Sequence, residues 1–112
     1  MSMKLSIEQN GKNQDVHLNE TPIRVGRSPE FELCFNNPQV SRFHCIFWME
    51  EGRLWIQDQG SANGTFVDDV RLESKIRLEL KNNQEIKLGK SGILIKVHEK
   101  KKEKNKNKKE ST

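Results

Sequence analysis

The run Gln39-Val40-Ser41-Arg42-Phe43-His44 is mostly polar and leads directly into Cys45-Ile46-Phe47-Trp48-Met49, an unbroken apolar stretch. A short apolar run next to turn residues reads as a strand that is central to its sheet or buried on both faces. Its neighbours in sequence also read as strands. Upstream, Ile23 and Val25 alternate with Arg24, and the chain leaves through Gly26-Arg27. Downstream, Leu54 and Ile56 alternate with Trp55, and the polar loop Gln59 to Gly64 leads into Thr65-Phe66-Val67. Each polar segment therefore stands at the end of an expected strand.

The same period of two runs through the rest of the chain. Leu5 and Ile7 alternate with Lys4, Ser6 and Glu8. Asn10-Gly11 is a hairpin signal, because both residues tolerate positive φ, and Val16 and Leu18 return facing inward. Phe31, Leu33 and Phe35 form a further short strand. Asp68-Asp69, Asn82-Asn83 and the segment from Gly89 to Gly92 are turns. Between them lie extended pieces carrying Val70 and Leu72, then Ile76, Leu78 and Leu80, then Ile86 and Leu88; Ile93 to Val97 closes the pattern. Trp48 and Trp55 fall on adjacent strands and read as core residues or cross-strand partners. No stretch of ten residues keeps a helical period. The expected fold is all-β: a sandwich of two antiparallel sheets with about ten or eleven short strands.

A chain of 112 residues is one domain. Its net charge of +4 comes from the far end: from Glu99 onward there are seven lysines, three glutamates and no apolar residue. Removing those from the 20 bases and 16 acids leaves 13 of each, so the part up to His98 is formally neutral. The expected division is a folded domain over 1–98 and a disordered, lysine-rich tail over 99–112. The tail's charge leaves three roles open: a solvated end, a linker, or a contact with nucleic acid or an anionic surface. No aromatic residue interleaves with the lysines, which argues against base stacking. Cys34 and Cys45 lie among apolar residues and are expected to be buried free thiols. No signal peptide is expected, and no apolar run reaches about 20 residues. The expected setting is cytoplasmic, or nuclear in a eukaryote.

Gly26-Arg27, Ser41-Arg42-Phe43-His44 and Asn63-Gly64-Thr65, in that order and each at a strand end, resemble the forkhead-associated (FHA) family. The similarity covers residues from about 3 to 98. It implies a module that binds phosphothreonine peptides through loops at one end of the sandwich, with a Ser/Thr kinase upstream and no cofactor. Arg27, Ser41 and Arg42 would then contact the phosphate, and Asn63 the peptide backbone beside it. Gly26, His44, Gly64 and Thr65 match residues that support the loops. Gln39 matches a position that, in parts of the family, reads the third residue after the phosphothreonine. Ala62 stands where some members carry a ligand-touching hydroxyl, and Asp68 where asparagine is common; the latter change is expected to act on the loop beneath Asn63. The chemistry of the residues fits these roles. A guanidinium forks onto phosphate oxygens, and a carboxamide both donates and accepts.

An enzyme is not expected. Ser41 and His44 have no third group to orient them as a nucleophile and base. Cys34, His44 and Cys45 lack a fourth metal ligand. The other reading that stays open is a phospho-independent scaffold of the same fold within a multi-protein assembly.

Overall fold

The computed structural model describes residues 2–100, and its eleven strands form two facing sheets. The six-stranded sheet runs in the order β2 (Lys12–His17), β1 (Ser2–Gln9), β11 (Leu94–Lys100), β10 (Glu85–Leu88), β7 (Thr65–Val67), β8 (Val70–Arg71). The five-stranded sheet runs β4 (Leu33–Cys34), β3 (Ile23–Gly26), β5 (Cys45–Glu50), β6 (Arg53–Asp58), β9 (Leu78–Leu80). Alternation sends Met3, Leu5 and Ile7 from β1 and Ile95 and Val97 from β11 into the space between the sheets. Val25, Phe47, Leu54 and Ile56 enter it from the other side. Each such buried side chain contributes about 1.5–3 kcal/mol. Val16 and Leu18 pack against this core but stay partly exposed.

β5 is central, flanked by β3 and β6, but it is buried on one face only. Cys45 and Phe47 point inward, while Ile46 and Trp48 are half-buried on the outside. There Trp48 lies opposite Trp55. The Arg77 guanidinium covers the Trp55 ring at 4.0 Å and pairs with Glu50 at 3.2 Å.

The structure corrects several expectations. One pairing is parallel: β3 and β4 align Val25 with Leu33 and Gly26 with Cys34. The Glu32 carboxylate takes the place of a strand carbonyl, accepting the Arg24 backbone N–H at 2.8 Å and the Arg24 guanidinium at 2.9 and 3.0 Å. β4 is only two residues long, and Phe31 lies outside it, packed on Phe43 with ring centroids 4.7 Å apart. Leu33 takes the inward position, so Cys34 is exposed, whereas Cys45 is buried; both are free thiols. Ile76 and Leu78 are 56% and 38% exposed, because β9 is a three-residue edge strand and Ile76 precedes it. β11 continues to Lys100, two residues past the expected boundary at His98. Ser2 and Met3 of β1 supply its partners there. The rest of the expected tail, 101–112, lies outside the described residues. No helix among the described residues is long and apolar enough to cross a membrane.

Candidate functional site

Four loops meet at one end of the sandwich: those joining β3 to β4, β4 to β5, β6 to β7 and β10 to β11. The first two are joined by backbone. Arg27 N–H donates to the carbonyl oxygens of Ser41 and Arg42, both at 3.1 Å, and His44 N–H donates to Val25 O at 2.7 Å. This approach requires glycine at 26, where an added Cβ would lie 2.0 Å from the Arg42 carbonyl oxygen. Arg27, Ser28, Pro29 and Arg42 line an open cleft of about 280 Å³. No carboxylate lines it.

Ser41 joins the second loop to the third. Its Oγ accepts the Ala62 backbone N–H at 2.9 Å, which leaves the hydroxyl proton free to donate. Ala62 thus contributes through its backbone, and its methyl is exposed. Asn63 is exposed, and its Nδ2 donates to Gln39 O at 3.1 Å, so one end of its carboxamide is fixed. The Gln39 side chain turns the other way, and its Oε1 accepts Lys90 N–H from the β10–β11 loop at 3.1 Å.

Beneath these groups lies a buried polar network. His44 is fully buried; its Nδ1 accepts Ser41 N–H at 3.1 Å and its Nε2 donates to Gly64 O at 2.8 Å. Those partners fix the neutral tautomer with the proton on Nε2. Burial holds its pKa below the ordinary 6.5, against the opposing pull of the Gly64 carbonyl and Asp58. Asp58 is the hub. Its Oδ1 accepts Ser61 Oγ–H at 2.5 Å and Thr65 Oγ–H at 2.6 Å, and its Oδ2 accepts the backbone N–H groups of Gly60 and Ser61. Burial pushes its pKa up, but these four donors outweigh burial and leave it lowered. Ser61 Oγ in turn accepts Gly64 N–H at 3.0 Å.

Sequence reasoning missed Asp58 and Ser61. The available signal was an aspartate at a strand end two residues before a glycine, the pattern of an Asx turn. Asp68 is not beneath Asn63. It sits at the other end of β7, at φ 49° in the turn to β8, and its carboxylate accepts Glu85 N–H and Gln84 Nε2–H, both at 3.0 Å.

The FHA domain family profile matches residues 23–89, more than half of the chain, and the chain belongs to that family. The glycogen accumulation regulator GarA of Mycolicibacterium smegmatis is 31% identical over 78 residues, covering 70% of this chain and 48% of that protein. The oxoglutarate dehydrogenase inhibitor of Corynebacterium efficiens is 34% identical over 78 residues, covering 70% of this chain and 53% of that protein. The chain thus spans about half the length of these curated relatives. Among solved structures, the MEK1 FHA domain in complex with a HOP1 phosphothreonine peptide superposes with a TM-score of 0.68 at 25% identity, covering 84% of this chain and 94% of that one.

Proposed function

We propose that this domain binds phosphothreonine in a partner protein and so recruits targets of a Ser/Thr kinase. The observation that carries the reading is the cleft between Arg27 and Arg42, two guanidinium side chains on adjacent loops with no acid lining it. A phosphothreonine at neutral pH carries about −1.5 to −2 charges and three strong acceptor oxygens. Clustered arginines hold phosphorylated motifs in FHA modules and in others. In this reading Arg27, Arg42 and the free Ser41 proton contact the phosphate. Asn63, with one end anchored on Gln39, uses its carbonyl oxygen for the peptide backbone. Gly26, His44, Gly64 and Thr65 set the loops, as do Asp58 and Ser61. The MEK1 FHA domain bound to a phosphothreonine peptide supports the assignment by likeness.

The names of the relatives, a regulator and an inhibitor, accord with a binding role rather than catalysis here. The test is a peptide array carrying phosphothreonine, phosphoserine and unphosphorylated versions of the same sequences. Binding restricted to phosphorylated peptides, strongest for phosphothreonine, is expected. Equal binding after phosphatase treatment would favour the phospho-independent scaffold instead.

A further inference from the structure

The six arginines of this chain divide by location. Arg24, Arg53 and Arg77 face Glu32, Glu79 and Glu50 at 2.9, 3.7 and 3.2 Å. Arg27, Arg42 and Arg71 pair with no carboxylate among the described residues. The proposed phosphate cleft accounts for the first two of these but not for Arg71.

Arg71 is exposed on β8, opposite Phe66 of β7. Its side chain reaches the loop end of the sandwich. Its Nε and Cζ lie 2.8 and 3.0 Å from the point where a Cβ on Gly64 would sit, with the Phe66 ring 3.1 Å from the same point. The guanidinium is therefore laid over the bare Cα of Gly64, and any side chain at 64 would displace it. Gly64 follows directly after Asn63, so a cation with no carboxylate partner among the described residues stands beside the residue proposed to hold the peptide backbone. Packing on Gly64 and Phe66 limits the freedom of a long side chain in advance, which lowers the ordering cost of a new contact. By contrast Lys87, on the same sheet, is paired with Asp69 at 3.0 Å. Arg71 has no such carboxylate among the described residues.

We propose that Arg71 is a second anion contact for the bound phosphopeptide, reading a carboxylate or a second phosphate on a residue that flanks the phosphothreonine. The inference rests on the phosphothreonine reading above and adds a sequence preference to it: phosphothreonine with an acidic or phosphorylated neighbour. Its exposure makes the contact modest and sensitive to salt.

The test titrates wild type, Arg71→Ala and Arg71→Lys with phosphothreonine peptides. Each position near the phosphothreonine is in turn alanine, aspartate or phosphoserine. Wild type is expected to prefer aspartate or phosphoserine over alanine at one or two positions by roughly three- to tenfold at low salt. In Arg71→Ala that ratio falls to about one, while affinity for the alanine-flanked peptide stays within about twofold; Arg71→Lys keeps part of the ratio. The aspartate and phosphoserine arms separate a carboxylate from a second phosphate. The proposal is overturned if wild type binds phosphothreonine with no acidic preference, or if Arg71→Ala keeps the wild-type ratio. A uniform loss across all peptides would also overturn it, making Arg71 a support for Gly64. If Arg71→Ala does not fold, Arg71→Gln, which retains the stem over Gly64, decides by the same ratio. Failure of wild type to bind any phosphothreonine peptide would instead remove the reading underneath.

Discussion

At Gly26 the whole geometry of the site depends on one missing methyl. A Cβ there would meet backbone, the Arg42 carbonyl, and not the yielding end of a side chain. Gly26→Ala is expected to cost about 1–3 kcal/mol of stability, toward the upper end because the obstacle cannot swing away. Urea unfolding measures it. His44 gives a pH dependence. It is buried neutral, with its pKa held below the ordinary 6.5, so the unfolded chain takes up a proton before the folded one does. Its stabilisation is complete above about 6.5 and is lost as pH falls through the lower folded value. Protonation would also place an N–H at Nδ1 against the Ser41 N–H that it now accepts. Unfolding midpoints are expected to decline as pH falls below about 6.5 in wild type and to decline less in His44→Asn. At this scale the sequence displayed the exposed part of the site better than its foundations. Arg27, Ser41 and Asn63 stand in short motifs at strand ends. Asp58 closes a strand as an unremarkable acid, and only folding brings Ser61 and Thr65 onto it.

β4 shows what alternation leaves out. Apolar period two marks which face a residue takes, but not the direction of the neighbouring strand. The parallel register of β4 beside β3 rests on Glu32, a charged residue on a loop. Arg24 holds the Glu32 carboxyl well down, to about 2, through side-chain and backbone hydrogen bonds. A depressed carboxylate stabilises fully above its ordinary value of 4.5 and loses that contribution as pH falls toward about 2. Glu32→Ala is expected to speed amide exchange at Arg24 and Phe35 by about five- to tenfold, the effect of removing a charge-assisted hydrogen bond, while β1 and β11 are unchanged. Uniform acceleration across the sandwich would contradict this account of β4. The edge strand β9 shows a related limit: alternation does not say whether a face is covered. Ile76, Leu78 and Leu80 alternate, yet the first two are exposed, because β9 is a three-residue edge strand and Ile76 precedes it.

For the molecule as a whole, two sheets serve to bring four loops to one end. Strand number and the alternating core were legible because each strand carries its own pattern. The end of the domain was not. Glu99 is a charged residue in a lysine-rich context, and only the facing backbone of Met3 recruits it into β11. Ending the chain at His98 removes the pairs of Ser2 with Lys100 and Met3 with Glu99. That truncation is expected to lower stability by about 1 kcal/mol, with phosphopeptide affinity retained, because the pairs lie away from the site loops. Thermal unfolding beside a binding titration checks both halves. On the phosphothreonine reading, loops distant in sequence form one cleft for a phosphate, with Arg27 as its principal cation. The decisive measurement is calorimetric titration of a phosphothreonine peptide into wild type and Arg27→Ala. A loss of roughly 10- to 100-fold in affinity, with the fold intact, is the predicted result; equal affinity in the two proteins would contradict it.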